Sequence, residues 1–434
     1  MRMIKIGIVS LGCAKNLVDS ELVLGMFKKG NFMFVNRPEE ADVIIVNTCG
    51  FIESSKQESI NTILEMSNYG KKLVVVGCLV ERYLEELKEA IPEVDLFVPI
   101  REYSTLNKQI EKLIEKEKVS KFNPLNRVVS TAPFTAYFRI SEGCNNRCTY
   151  CAIPLIRGDF RSRPIEELEI EATELENNGV KELVVISQDT TRYGSDIKGK
   201  KYDICDLLKM LLEHKGFDYI RLLYLYPDEI TDDLLRLIGS EPRLTPYFDI
   251  PIQHSSTKVL DRMHRRGNHE FLIDLFVNRV RKIVPNAILR TTFIVGFPGE
   301  TEEDFNDLLN FVETVRFDHL GAFTYSAEEG TPSYDYEDQI DEEVKQKRYE
   351  ILMKKQKVIS YQNNKNHIGE VMEGLVVGYD KKNDCYHLRS GWNAPDDIDG
   401  KICFKSSKPL KMGQKVKVKI TNAFVYDLDG ELID

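Results

Sequence analysis

Ser141-Glu142-Gly143-Cys144-Asn145-Asn146-Arg147-Cys148-Thr149-Tyr150-Cys151 places three cysteines within eight residues, separated by gaps of three and two. The run before it, Ala136-Tyr137-Phe138-Arg139-Ile140, has the composition of a strand. A loop this short brings three thiolates around one metal centre and offers no fourth from nearby. Iron–sulfur clusters are ordinarily held by four cysteines, so three ligands leave one iron open to a small molecule. A structural zinc site needs a fourth Cys or His at short spacing, and no histidine occurs before His214. A disulfide leaves one thiol over, at a spacing too tight for a stable framework. A three-cysteine iron–sulfur loop is the preferred reading, with zinc behind it.

The length of 434 residues suggests about three domains. A charged fraction of 29% suits an ordinary globular chain. No apolar run approaches bilayer length, and Met1-Arg2-Met3-Ile4-Lys5 leads into a strand pattern without the parts of a signal peptide. The expected location is therefore cytoplasmic, where thiols stay reduced and nine cysteines read as ligands or buried apolar groups. A net charge of −10 argues against a non-specific nucleic-acid binder and suits a basic protein partner.

Residues 5–10, 42–47 and 72–77 are nearly continuous β-branched runs, as expected of parallel strands buried on both faces. Amphipathic helical stretches lie between them, around residues 20–29 and 81–90, which predicts a doubly wound α/β domain. Cys13, Cys49 and Cys78 each fall just past one of these strands. Ligands bind outside the carboxyl ends of such sheets, so the three point to one edge and to a second iron–sulfur cluster. The competing reading is that one or two are ordinary buried cysteines. The polar residues after Cys13 either cap the next helix or, as Lys15 and Asn16, line the cluster edge.

Residues 116–135 are polar, contain Pro124 and Pro133, and read as a linker. Strand-like runs then recur at 183–187, 219–225, 247–252, 288–295 and 319–325, with helical patterns between them. Six such repeats predict a parallel sheet curling toward a barrel, with its site at the strand C-terminal ends. His254, at one of those ends, reads as a satisfied strand-end histidine rather than a proton carrier. Residues 341–366 read as a helical connector. The tail, 369–434, carries five short β-rich runs separated by Gly, Asn and Asp turns, which predicts a small OB-type barrel. Its ten Lys and Arg against eleven Asp and Glu provide little phosphate attraction. Cys205, Cys385 and Cys403 show no ligand spacing and read as structural.

The C-x3-C-x2-C loop after a strand resembles the signature of the radical S-adenosylmethionine (SAM) enzymes. The whole chain resembles their methylthiotransferase family, which carries two [4Fe–4S] clusters and a C-terminal TRAM barrel. The resemblance implies an α/β multidomain chain. Residues 1–120 would be an N-terminal doubly wound domain with the auxiliary cluster on Cys13, Cys49 and Cys78. Residues 134–366 would be a radical SAM partial (β/α)6 barrel and connector, with the SAM cluster on Cys144, Cys148 and Cys151. Residues 367–434 would be the OB-like TRAM barrel. Tyr150 occupies a position that often touches SAM, and Gly296 in Gly296-Phe297-Pro298-Gly299-Glu300 resembles the adenosyl-binding turn. Arg157, Arg161 and Arg163 read as SAM- or substrate-binding groups or as a solvated turn salted to nearby acids; the family pattern favours the first.

Leu11-Gly12-Cys13-Ala14-Lys15-Asn16, Ile140-Ser141-Glu142-Gly143-Cys144-Asn145 and Asp249-Ile250-Pro251-Ile252-Gln253-His254 look like the branch that modifies an aspartate of small-subunit ribosomal protein S12. The tRNA-modifying branch has Gly-Cys-Gln-Met-Asn at the first motif. The resemblance implies that one SAM donates a methyl group to sulfide at the auxiliary cluster. A second is cleaved by a low-potential electron to a 5′-deoxyadenosyl radical. That radical takes hydrogen from the aspartate β-carbon, which then receives the methylthio group. Both open irons would face one cavity. The rivals are a tRNA adenosine methylthiotransferase and a non-catalytic iron–sulfur RNA-binding protein.

Overall fold

Runs rich in Val and Ile are stiff at χ1 and favour extended backbone, and each such run of the first hundred residues becomes a parallel strand. The computed structural model describes residues 3–115, 117–199, 202–395 and 398–433. They divide into one unit of Met1–Ala132, Ser141–Glu171 and Glu328–Thr331, and a second of Pro133–Ile140, Ala172–Ala327 and Pro332–Asp434.

The first unit is built on strands β1 (Ile4–Ser10), β2 (Phe32–Phe34), β3 (Val43–Thr48), β4 (Lys72–Gly77) and β5 (Leu96–Val98). All are parallel, in the order β2-β1-β3-β4-β5. The two edge strands, three residues each, add to the three legible from composition. Alternate residues point to opposite faces. Val43, Ile45, Val74 and Val76 pack under α1 (Ala14–Gly25) and α4 (Leu106–Ile114). Ile44, Val46, Leu73 and Val75 pack under α2 (Glu53–Ser67) and α3 (Cys78–Ala90). This is the doubly wound domain expected.

Residues 117–132 have no helix or strand, yet they are no slack tether. Val128 N–H donates to Glu21 O at 2.9 Å. Asn126 Nδ2 donates to Gly25 O at 2.7 Å. Buried Arg127 pairs with Glu21 at 2.7 Å and with Glu171 at 2.6 Å. The unit is completed by a two-stranded clasp, β7 (Ser141–Glu142) against β8 (Arg161–Ser162), by α5 (Ile153–Arg157), and by the start of α6 (Ile165–Asn177).

In the second unit, β6 (Thr135–Arg139), β9 (Glu182–Ile186) and β10 (Tyr219–Leu222) form one parallel ladder. Strands β11 (Tyr247–Asp249), β12 (Ile288–Val295) and β13 (His319–Thr324) form another. Leu225 N–H donating to Asp249 O at 2.8 Å joins them, so six parallel strands follow in chain order as an open barrel. The connecting helices are α7 (Ile204–Glu213), α8 (Asp232–Ser240), α9 (Thr257–Arg262), α10 (His269–Ile273), α11 (Arg281–Ile283) and α12 (Glu302–Val315). Capping boxes start two of them, Asp203 with Asp206 and Thr301 with Asp304.

Helix α13 (Glu342–Asn366) leads to β14 (Val371–Asp380), β15 (Cys385–Ser390), β16 (Ile402–Lys405), β17 (Lys415–Ala423) and β18 (Leu428–Ile433). These close as β14-β15-β16-β18-β17 around Leu388, Ile402, Phe404, Val418 and Leu428. The small barrel attaches where the central strands begin. Arg389 pairs with Glu182 at 2.6 Å, the His319 ring reaches Trp392 O at 2.7 Å, and Tyr247 OH donates to Asp399 at 2.6 Å. The C-terminal ends of the central strands, where such folds place their chemistry, are not used for this attachment. Among the described residues no helix is long and apolar enough to cross a membrane.

Candidate iron–sulfur site

Neighbouring parallel strands deliver neighbouring loops. Because β1, β3 and β4 are adjacent, Cys13, Cys49 and Cys78 emerge side by side from one sheet edge. Gly12, at φ +84°, lets two of the loops touch: a Cβ there would lie 2.9 Å from Cys49 Sγ. Asn16 ties the edge together. Its Nδ2 donates to Leu11 O at 2.8 Å and Thr48 O at 2.9 Å, and its Oδ1 accepts from the Cys78 thiol at 3.4 Å. Helix α1 takes Cys13 as N-cap residue without a side-chain capping bond. The Asn16 side chain thus bridges the strand-end loops. Ser59 Oγ holds the Cys49 peptide from both sides, accepting its N–H at 3.0 Å and donating to its carbonyl at 2.8 Å. Burial pushes the Cys49 thiol up and the Cys78 thiol up to about 12, with the Arg157 cation opposing the rise at Cys78.

The second trio is local. Gly143, at φ +77°, turns the chain where a Cβ would strike Asp159 O at 2.2 Å. Cys144 N–H donates to Gly158 O at 3.1 Å, Phe160 N–H to Asn145 Oδ1 at 3.1 Å, and Cys151 N–H to Cys148 O at 3.0 Å. The loop is folded back on residues 158–160 and clasped by β7 and β8. Cys148 is buried; Cys144, Cys151 and Tyr150 are half-buried.

The two trios belong to one unit, and α5 connects them. Cys78 packs against Ala152 and Ile156, just after the second trio. Arg157, 5% exposed, ends that helix. It pairs with Asp19 at 2.6 Å, donates to Asn16 Oδ1 at 2.8 Å, and reaches Cys78 Sγ at 3.2 Å. Arg157 is salted to acids, as one sequence reading had it, but it is buried rather than solvated, and it reaches the first trio. Arg163 instead pairs with Glu171, and Arg161 is exposed. No local pattern signals the Arg157 contacts, because Cys78 and Asp19 are 79 and 138 residues away. Buried Glu328 supports the same sheet edge. It pairs with Arg82 at 3.1 Å and Lys56 at 3.2 Å, and Arg82 also donates to Gly50 O at 2.8 Å.

All six cysteines are free thiols, and each trio is an all-sulfur donor set. Among the described residues, one group of three Cys, His, Asp or Glu donors closes to within 4.8 Å, and it is neither trio. The residues fit an iron–sulfur cluster with one open iron.

In the second unit, Gly296 has φ +72°, and a Cβ there would meet Lys345 Cγ at 2.2 Å. The Gly296 and Phe297 amides donate to Glu300, whose carboxyl burial pushes up to about 7 against the pull of Arg348. His254 is fully buried; burial pushes its pKa down to about 3, and Nδ1 accepts the Ser256 N–H at 3.0 Å. It is a core histidine, but among the described residues Nε2 has no hydrogen-bond partner, so the satisfied strand-end histidine expected from the sequence is met at Nδ1 alone.

Three family models match the chain: Uncharacterized protein family UPF0004 over residues 5–99, the radical SAM superfamily over 138–312, and the TRAM domain over 368–433. The ribosomal protein uS12 methylthiotransferase RimO of Clostridium tetani is 48% identical, covering 100% of this chain and 99% of its own. That of Acetivibrio thermocellus is 46% identical, covering 99% and 98%. Among solved structures, the radical SAM methyltransferase TsrM from Kitasatospora setae matches with a TM-score of 0.56. It is 11% identical, with 86% of this chain and 81% of that one covered. The cobalamin-dependent radical enzyme OxsB matches with a TM-score of 0.52 and 15% identity, over 81% and 56%. The last two are likenesses of fold.

Proposed function

The chain belongs to the family of ribosomal protein uS12 methylthiotransferases, and we propose that it attaches a methylthio group to the β-carbon of an aspartate of that protein. It is a radical SAM enzyme with a [4Fe–4S] cluster and SAM. We assign Cys144, Cys148 and Cys151 to the SAM cluster and Cys13, Cys49 and Cys78 to an auxiliary one, with Tyr150 and Gly296 toward SAM. When bound, these groups supply a low-potential electron, a hydrogen-abstracting radical and the sulfur to be transferred. The chain's own residues hold and shield them. Asn16 keeps the three strand-end loops in register. Arg157 places a fixed positive charge on a ligand sulfur of the auxiliary trio. The β7–β8 clasp shapes the other loop.

The single observation that carries this reading is the contact of Cys78 with α5 and Arg157. A radical must be quenched by its intended partner, and a five-residue helix between the trios supports one shared chamber. We divide the chain into residues 1–120, 134–366 and 367–434, a division supported by the three matched spans. The partners are uS12 and a low-potential electron donor, and the place of action is the cytoplasm. A tRNA acceptor is disfavoured by the near-neutral charge of the terminal barrel. An anaerobic assay offering both uS12 and tRNA to the reconstituted protein tests the proposal. We expect methylthiolated aspartate; methylthiolated nucleoside without it would overturn the assignment.

A further inference from the structure

The compact donor group noted above lies in the terminal barrel, outside everything the proposed reaction uses. The donor atoms of Cys385, His387 and Cys403 all lie within 4.8 Å of one another. Strand register brings them together. In the antiparallel β15–β16 pair, His387 stands opposite Cys403. Cys385 precedes His387 by two residues and so shares its face. The alternate positions Leu388, Ile402 and Phe404 fill the barrel interior, which puts the trio on the outer surface. Cys385 is buried there, while His387 and Cys403 are partly open to solvent.

Two neighbours complete the arrangement. Asp429 is the register partner of Cys403 on β18 and brings a carboxylate to the same face. Gly378 is the register partner of His387 on β14, and a Cβ there would lie 3.2 Å from His387 Nδ1. The glycine leaves the imidazole its room. Zn–S bonds of about 2.3 Å and Zn–N bonds of about 2.0–2.1 Å set donors of one tetrahedral ion roughly 3.5–3.8 Å apart. The donor atoms, all within 4.8 Å of one another, stand at most about 1 Å wider than that spacing.

We propose that Cys385, His387 and Cys403, with Asp429 as fourth donor, form a zinc site on the outer face of the barrel. Two thiolates, an imidazole and a carboxylate are a donor set suited to Zn²⁺ and unsuited to magnesium or calcium. Binding releases the two thiol protons, so the ion replaces them without any change of oxidation state. The ion staples β15, β16 and β18. Strand β16 has only four residues, and its pairing with β18 is the one parallel pairing of the barrel. The closure thus gains a cross-link where its hydrogen-bond ladder is shortest.

The test uses the full-length, anaerobically reconstituted protein dialysed against chelator-buffered Zn²⁺, with metals counted by mass spectrometry. The expected result is one zinc per chain beyond the iron, with zinc-edge X-ray absorption reporting two sulfur and two lighter donors. Cys403→Ser and His387→Gln each lose that zinc, or bind it at least tenfold more weakly, with iron and sulfide unchanged. Zinc retained equally by both variants, no zinc in the wild type, or a Cys385–Cys403 disulfide in anaerobically prepared protein would each overturn the site. If Cys403→Ser fails to fold, His387→Gln and the wild-type absorption spectrum decide.

Discussion

Two cysteine trios in one unit are assembled by opposite means. Cys144, Cys148 and Cys151 occupy a single loop, shaped by a two-residue clasp, two main-chain hydrogen bonds and one from a main-chain amide to the Asn145 side chain. Cys13, Cys49 and Cys78 come from three strand ends and need the whole sheet, an asparagine bridging two loops, and an arginine from elsewhere in the chain. A local ligand set depends on spacing, whereas a distributed one depends on the stability of everything beneath it. The Cys13, Cys49 and Cys78 trio should therefore be the more sensitive to changes that leave every cysteine in place.

The sharpest break of this comparison is to delete one ligand from each trio. Cys13→Ala and Cys144→Ala should each abolish methylthio transfer and remove about four of about eight irons per chain, read by iron and sulfide analysis. A variant that keeps its full iron would end the two-cluster reading. The next largest effect separates the arginines. Arg157→Leu removes a buried ion pair with Asp19 and should destabilise the first unit by about 1–3 kcal/mol. Arg161→Leu, on an exposed side chain, should stay within about 0.5 kcal/mol. Equal denaturation midpoints for the two variants would mean that the Arg157 contacts carry no weight.

The second unit offers a control whose effect depends on pH alone. His254 has a folded-state pKa of about 3 against 6.5 unfolded, so the unfolded chain is the better proton binder between those values. Its contribution is whole above pH 6.5 and shrinks as pH falls, by about 2 kcal/mol at pH 5. Glu300, raised to about 7, slopes the other way over part of the range. The measurement is therefore the difference between wild type and His254→Gln, which should narrow by that amount from pH 6.5 to 5. A difference independent of pH would show that the histidine is not held neutral.

Most of the fold was readable before any coordinates. Strands β1, β3 and β4 and the central strands announce themselves by β-branched runs, and the barrel by short runs between turns. The three-residue edge strands β2 and β5 fall below what a run can reveal. Residues 117–132 look like a tether because nothing in their composition tells that Arg127 is buried between Glu21 and Glu171.

Spacing along the chain was sufficient for Cys144, Cys148 and Cys151, since a short loop admits few arrangements. Position after a strand was sufficient for Cys13, Cys49 and Cys78, since a parallel sheet carries all its strand ends to one edge. Folding alone assigned Arg157 to Cys78 and set Cys385, His387 and Cys403 on one face, because those contacts come from helix docking and cross-strand register. Separation in the chain conceals such neighbours; the register between two paired strands leaves no periodic trace in either one.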